Sequence, residues 1–239
     1  MATLRHVAVT GAVDLVQTAP TPRLKRCAGD HCGAEPMAGR DGSCCHHYDR
    51  GMGRWEPNAR GRLEQAAMEL YSERGFEQTT VAEIAKRAGL TERTFFRHFA
   101  DKREVLFAGA GALQELMVTA VADAPDSVAP IDAVAAALEA AAGVLQERCE
   151  YPRQRQAIIA ANTELREREL IKLASLAAAI TDTLRRRGVS DPAASLTAEA
   201  GIAVFRIAFE RWVEDSNRRD LSRLIRDSFD ELKAVTAGS

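Results

Sequence analysis

The sequence lacks the motifs by which most soluble enzymes are recognised. It contains no H-E-x-x-H, no glycine-rich phosphate loop and no G-x-S-x-G. After Met52 it has one histidine, His98, and one cysteine, Cys149, with no histidine near that cysteine in sequence. Carboxylates cluster in 164–169, but such mixed-charge runs usually form salt-bridged, solvated helix faces. We therefore expect no catalytic residues.

The chain also lacks an excess of charge, a membrane span and an export signal. Its formal net charge of −2 excludes a generally basic protein that coats nucleic acid. No apolar run is long enough to cross a membrane, and Thr10 and Asp14 interrupt the segment His6–Val16, which makes it a poor signal peptide. We expect a cytoplasmic protein with no membrane partner.

The most informative segment present is 79–106, where two short helices and a tight turn are predicted. Thr79 and Thr80 are good N-caps for a helix over Val81–Ala88. Gly89 follows, where a left-handed helix cap favours glycine, and Thr91 then caps a second helix that runs to about Phe99. This spacing fits a helix-turn-helix that enters the major groove of DNA, or an ordinary corner of a helical bundle.

Two further helices complete the predicted unit. An apolar stripe predicts a helix over about Ala59–Arg74. Asp101 and Glu104 form a D-x-x-E pair like a capping box, which predicts a helix that continues past Leu106.

These residues resemble a known family. The run A-G-L-T-E-R-T-F-F-R-H-F-A-D-K, preceded by T-V-A-E-I-A, is similar to the DNA-binding domain of the TetR family of transcriptional regulators, over roughly Pro57–Met117. The resemblance implies a sequence-specific regulator of double-stranded DNA without a cofactor, most often a repressor that a small ligand releases from its operator. Phe96 stands where the family usually has tyrosine, so we expect an apolar contact to a sugar or a thymine methyl there.

The resemblance and a local basic patch together define the expected DNA contacts, which are Thr80, Thr91, Arg93, Thr94, Phe96, Arg97, His98 and Lys102. Arg93 and Thr94 are expected to read bases, whereas Arg97, His98 and Lys102 hold the backbone. For Lys102 the alternative is a contact with a nearby helix end. Arg54, Arg60 and Arg62 form a basic arm that either touches DNA or is solvated.

Beyond Ala108 the pattern is helical, without strand-like alternation. Predicted helices cover a segment up to Pro125 and then about 131–149, 154–161, 163–187, 191–215 and 221–235. The expected fold is all-α: an N-terminal three-helix helix-turn-helix DNA-binding domain (52–107) followed by a larger helical ligand-binding and dimerisation domain (108–239).

The last two helices carry apolar residues that bear on assembly. One row comprises Leu196, Ala200, Ala203, Val204 and Ile207, a second comprises Phe205, Phe209 and Trp212, and the final helix has Leu221, Leu224, Ile225, Phe229 and Leu232. The resemblance implies that both helices form a four-helix homodimer interface, which matches a palindromic operator. Burial in a monomeric core is the alternative.

The resemblance also implies a ligand cavity in the second domain. Its candidate lining residues are Phe107, Met117, Leu145, Tyr151, Ile158, Leu173, Leu176 and Phe205, each of which fits an ordinary core equally well. The alanine-rich run 134–144 allows close helix packing or leaves space for a ligand. Few polar groups converge here, which favours an unknown apolar or amphipathic effector. A regulator without ligand control is the alternative.

The first fifty residues hold most of the chain's cysteine and histidine, at Cys27, His31, Cys32, Cys44, Cys45, His46 and His47. The spacing is irregular, whereas zinc sites normally show paired C-x2-C or H-x3-H arms, so we expect no metal. Residues 1–51 are predicted to be a disordered extension. The opening M-G-R-W-E-P-N-A-R-G-R suggests Met52 as the natural start.

Overall fold

The computed structural model describes residues 58–214 and 219–237, and within these ranges it has ten α-helices and no strand. In chain order the helices are α1 Ala59–Arg74, α2 Val81–Arg87, α3 Glu92–His98, α4 Lys102–Leu106, α5 Ala110–Ala122, α6 Pro130–Gln146, α7 Glu150–Ala160, α8 Thr163–Arg186, α9 Asp191–Glu214 and α10 Leu221–Ala237. The predicted all-α fold is confirmed. The predictions for residues 1–51 and for Arg54 lie outside the described residues.

Two predicted helix boundaries are wrong. The helix that begins after Asp101 does not continue past Leu106: the Phe107 N–H donates to the Glu104 carbonyl at 3.1 Å, an i→i−3 bond that tightens and closes the last turn. The helix predicted to start near Gln154 begins at Glu150 instead, with Pro152 in its first turn. Proline is tolerated there because N–H groups of the first turn have no helical partner.

One core lies among α1, α2, α3 and α4. Leu63 of α1, Ile84 of α2 and Phe95 of α3 are fully buried in it. The same cluster includes Ile158 and Ile159 of α7 and Leu165 of α8, so the predicted DNA-binding unit packs directly on later helices. The orientation of α3 is therefore set partly by residues far away in sequence.

A second core lies among α5, α6, α8, α9 and α10. Small residues bring α6 and α9 close together: a Cβ built on Gly201 would lie 2.4 Å from Cγ1 of Val134. Ala137, Ala141 and Ala142 of α6 are completely buried. The alanine-rich run 134–144 was predicted either to allow close helix packing or to leave space for a ligand, and the structure shows close packing.

Helix α9 is apolar on two sides. By length and composition it would pass as a membrane span, which the sequence analysis did not anticipate, but α6, α8 and α10 pack against it. Phe205 and Trp212 face the second core, and Val204, expected in the other row, is buried too. The two large remaining residues of that row stay exposed, Leu196 at 72% and Ile207 at 47%.

The apolar residues of α10 face inward. Leu221, Leu224, Ile225 and Phe229 are buried in the second core of this chain, and Leu232 packs partly against it. The outward side of α10 carries charged residues such as Arg223 and Asp230. The apolar side of α10 is therefore buried in the core of this chain, as the monomeric alternative predicted. Helix α9 differs, because it leaves exposed apolar residues that a partner could cover.

Ion pairs join α4 to α8. Glu104 accepts hydrogen bonds from Arg168 Nε at 2.7 Å and Lys172 Nζ at 3.0 Å, and Arg103 pairs with Asp101 and with Glu164. Asp101 caps α4 as predicted, but the Glu104 carboxylate faces α8 and does not close a capping box. Burial alone would raise the pKa of Glu104, but the hydrogen bonds from Arg168 and Lys172 outweigh it and hold that pKa below its usual value.

Because the folded pKa of Glu104 is lowered, its contribution to stability is present above the unfolded value of 4.5 and is lost as the pH falls through the folded value. We expect Glu104→Gln to lower the free energy of unfolding at pH 7 by on the order of 1 kcal/mol. It should also reduce the loss of stability on acidification. Denaturant titrations between neutral and acidic pH measure both effects, with Glu115→Gln, an exposed carboxylate on α5, as the control. Parallel pH profiles for Glu104→Gln and the unaltered protein would contradict this role.

Candidate nucleic-acid interface

The turn between α2 and α3 is built from local signals. Thr80 caps α2 in a complete capping box with Glu83, and Gly89 adopts a left-handed φ of 65° just after α2 ends. The Leu90 N–H then donates to the Ala85 carbonyl at 2.8 Å. A side chain at Gly89 would be strained by that φ, and its Cβ would lie 2.8 Å from the Arg62 guanidinium. These features confirm the predicted helix-turn-helix geometry.

Helix α3 has an inward aromatic side and an outward basic side. Phe95 and Phe99 are buried with their ring centroids 5.6 Å apart. On the opposite side Arg93 and Arg97 are exposed, and Phe96 is 56% exposed. An exposed aromatic ring flanked by two guanidinium groups can contact phosphates, base edges and thymine methyl groups.

Most arginines near α3 are held within the protein. Arg74 pairs with Glu83 at 2.9 Å, and Arg87 pairs with Glu73 at 2.8 Å. Within residues 58–108, and among contacts to described residues, Arg93 and Arg97 are the arginines that make no hydrogen bond or ion pair. Their charges face solvent on one side of one helix.

The arm arginines that the structure describes bind the protein's own backbone. Arg60 donates to the Ala108 carbonyl at 2.6 Å and pairs with Glu64 at 3.1 Å. Arg62 donates to the Ala88 carbonyl at the end of α2. Neither alternative for the arm anticipated these contacts. Arg62 binds the end of α2, and Arg60 binds the connection between α4 and α5.

Two of the predicted threonine contacts, Thr80 and Thr91, are used as helix caps. Thr80 Oγ1 accepts from the Glu83 N–H at 3.3 Å, and Thr91 Oγ1 accepts from the Thr94 N–H at 3.2 Å. The Thr91 and Thr94 hydroxyl oxygens are also 3.1 Å apart. Any contact that they make with DNA is additional to these roles.

Lys102 and His98 turn toward the protein. Lys102 Nζ donates to the carbonyls of Phe76 at 2.9 Å, Glu77 at 3.2 Å and Thr79 at 3.0 Å. The ammonium group has three N–H donors, so this set uses all of them in the loop between α1 and α2. His98 Nε2 is buried and has no hydrogen-bond partner among the described residues. The phosphate contacts of both residues stay predictions. The contacts that Lys102 makes here fit the alternative, in which it binds backbone near the end of another helix.

The candidate ligand-binding residues are divided between the two cores. Met117, Leu145, Leu173, Leu176 and Phe205 belong to or pack on the second core. Phe107, Tyr151 and Ile158 belong to or pack on the first core. A cleft of about 480 Å³ lies between α1 and α2, and another of about 290 Å³ lies between α5 and α8, and none of the eight lines either.

Two family models match the chain. The model described as "Bacterial regulatory proteins, tetR family" matches residues 64–108, and the one described as "MftR C-terminal domain" matches residues 128–237. Together the two matches cover more than half of the chain, and they span α3 as well as the two helices at the C-terminal end.

Relatives and solved structures agree with these models. The HTH-type transcriptional regulator TcmR of Streptomyces glaucescens is 36% identical over 88 residues, which are 37% of this chain and 39% of TcmR. The HTH-type transcriptional repressor BepR of Brucella suis is 27% identical over 190 residues, 71% of this chain and 89% of BepR.

Among solved structures, the complex of SmeT of Stenotrophomonas maltophilia with triclosan has the same fold, with a TM-score of 0.56 and 22% identity over 74% of this chain and 90% of SmeT. The helix-turn-helix, its basic α3 and the two matched domains lead to one conclusion. The chain belongs to the TetR family of bacterial transcriptional regulators.

Proposed function

We propose that the chain is a transcriptional repressor that binds a palindromic operator as a homodimer and leaves it when a small apolar or amphipathic ligand binds. The observation that carries the proposal is the pair Arg93 and Arg97, which are exposed on α3 and without an internal partner among the described residues. Guanidinium groups on a helix that enters the major groove can bind DNA phosphates and the O6 and N7 atoms of guanine. The repressor BepR and the SmeT–triclosan complex support repression and an apolar ligand respectively.

The proposed division of the chain is a DNA-binding domain over 52–107 and a ligand-binding and dimerisation domain over 108–239. The separation of the two cores supports it, although α7 and the start of α8 pack on the first core. The ligand lies among α5–α9 in this proposal, where the second core is closely packed, so binding requires side chains to move apart. Such a site fits a cytoplasmic regulator that responds to molecules inside the cell.

Dimerisation is proposed through α9. Leu196 and Ile207 are large apolar side chains left exposed on the same side of a long helix, with Ala200 and Ala203 between them. A two-fold partner would remove this row from water, and two copies of α3 would then meet two operator half-sites.

Ligand control is proposed as a two-state equilibrium. One state of the dimer holds the two α3 helices at the spacing of successive major grooves, and the other does not. A ligand shifts this equilibrium only through its difference in affinity for the two states. To move the dimer from mostly DNA-bound to mostly free, the ligand must bind the second state roughly 5.5 kcal/mol more tightly than the first.

The two free arginines should differ in what they recognise. Arg93 lies in the first turn of α3, and the first residues of a recognition helix contact base edges, so Arg93→Ala should cost about 1–3 kcal/mol of binding free energy and relax base preference at particular positions. Arg97 lies in the last turn of α3 and is expected to contact phosphates. Arg97→Ala should therefore weaken binding to all DNA sequences about equally and lower the dependence of binding on salt. Selection of bound fragments from random DNA, followed by salt titrations, separates the two effects.

Arg74→Ala removes an arginine of the same domain that is already paired with Glu83, and it should leave base preference unchanged. Uniform weakening by both Arg93→Ala and Arg97→Ala would refute the assigned roles. An unaltered protein that selects no sequence would refute the proposed function itself.

Lys102→Met should act on stability. Loss of three hydrogen bonds from a charged donor should lower the free energy of unfolding by about 2–3 kcal/mol. Under the helix-end alternative for Lys102, a folded variant should bind DNA with unchanged salt dependence. The control is Lys86→Met, an exposed lysine on α2 whose loss should stay within about 0.5 kcal/mol. A stable variant whose salt slope falls by about one would instead support the phosphate contact.

The dimer should depend on the exposed row of α9. Ile207→Glu places a charge in the proposed interface, so sedimentation velocity should show monomers at concentrations where the unaltered protein is dimeric. Leu170→Glu is the matched control, because Leu170 is comparably exposed on α8, at 55%, and should leave the dimer intact. An Ile207→Glu variant that stays dimeric would place the interface elsewhere.

A further inference from the structure

The outward side of α3 carries an exposed aromatic ring. Phe96 is 56% exposed, whereas the other large apolar side chains that stay exposed among the described residues are aliphatic. Single exposed apolar residues are ordinary on protein surfaces. Phe96 differs by its position, because it lies three residues after Arg93 and directly before Arg97, whose guanidinium groups face solvent. The ring therefore belongs to the surface that is proposed to meet DNA.

The ring of Phe96 is held in place by the first core. It meets the ring of Phe95 edge-on, with centroids 5.5 Å apart and ring planes at 83°. Phe95 is completely buried, and its own ring centroid lies 5.6 Å from that of Phe99. Aromatic pairs favour this edge-to-face arrangement, and a phenylalanine side chain has only two torsions to fix. A contact made by Phe96 therefore costs little conformational entropy.

The chemistry of DNA limits what this ring can bind. A phenyl group has no hydrogen-bond donor and no charge, so it cannot hold a phosphate. Base edges in the major groove present hydrogen-bond donors and acceptors, and the apolar group among them is the C5-methyl of thymine. A deoxyribose is also partly apolar, but it belongs to the backbone and carries no sequence information.

The position of Phe96 along α3 favours the methyl group over the sugar. Residues three apart are neighbours on a helix surface, so Phe96 lies beside Arg93 and about 4.5 Å further along the helix axis. This distance is comparable to the spacing of about 3.4 Å between successive bases of one strand. Arg93 lies in the first turn, where residues of a recognition helix contact base edges. Phe96 therefore faces the groove close to the base that Arg93 reads.

We propose that Phe96 reads the C5-methyl group of a thymine in each operator half-site, within about two base pairs of the base that Arg93 contacts. The methyl group packs against the phenyl ring and leaves water, so the contact selects thymine over cytosine without a hydrogen bond. This inference rests on the proposed binding of DNA and names a chemical feature of the operator.

Uracil tests the contact directly, because it lacks only the methyl group of thymine and pairs with adenine in the same way. Fragments selected from random DNA by the full-length protein are synthesised again with each thymine in turn replaced by uracil. At one thymine of each half-site, the replacement should lower affinity about fourfold, the effect of one buried methyl group. Replacement in both half-sites should lower affinity about sixteenfold, because the two sites are far apart and independent.

Phe96→Ala should remove this sensitivity, so that uracil at the same thymine changes affinity by less than about twofold. Phe96→Gln also removes the ring and should give the same result, which keeps the test decisive if one variant fails to fold. Neither variant loses a charge, so the salt dependence of binding should be unchanged. Leu170→Ala is the matched control, because Leu170 is 55% exposed on α8 and its loss should leave every uracil effect intact.

The outcomes separate this inference from the proposed function. Selected fragments in which no uracil replacement lowers affinity would overturn the inference, as would a uracil effect that persists in Phe96→Ala and Phe96→Gln. Weakening of all fragments by these variants, with no uracil effect to lose, would place the ring on a sugar. Each of these results leaves sequence-selective binding intact. If the unaltered protein selects no fragment, the proposed function fails and this inference fails with it.

Discussion

The arrangement around α3 depends on basic side chains that donate hydrogen bonds to backbone carbonyls at the ends of other helices. The last carbonyls of any α-helix lack partners within the helix, and a cation placed there also offsets the negative end of the helix dipole. Arg62 satisfies the end of α2, Arg155 satisfies the end of α4, and Lys102 binds the loop that follows α1. Each of these side chains comes from an element distant in sequence from the carbonyl that it binds. Together they tie the elements that surround α3 to one another.

This use of cations gives the two free arginines their significance. Among the described residues 58–108 the other guanidinium groups are bound to carboxylates or carbonyls, whereas Arg93 and Arg97 keep their charges in solvent. Ion pairing of the other arginines also keeps the surface from becoming uniformly basic, in line with the net charge of −2. The positive electrostatic potential on this surface is therefore concentrated on α3, which favours selective binding over coating of DNA.

The division into two cores has a mechanical consequence. Helix α7 contributes Ile158 and Ile159 to the first core and places Arg153 against Trp212 of the second, so neither core can rearrange without an effect on α7. The ion pairs of Glu104 with Arg168 and Lys172 form a second link, between α4 and α8. Coupling between an effector and DNA needs connections of this kind, because packed cores respond to a ligand by changing between discrete arrangements.

Local sequence signals determined most helices, the turn at Gly89 and the basic face of α3, because caps, periodicity and glycine act within a few residues. Local signals predicted the wrong end for α4 and the wrong start for α7. The residues after Leu106 could continue a helix or close it with i→i−3 hydrogen bonds, and Pro152 could precede a helix or lie in its first turn. Only the tertiary structure decided that Arg60, Arg62 and Lys102 bind backbone carbonyls and that the alanine-rich α6 packs closely on Gly201. It also decided that Trp212 is buried with no acceptor for its indole N–H among the described residues. A long basic side chain or a buried indole has the same sequence signature whatever it contacts. Its role is determined by groups that the fold brings near it from far along the chain.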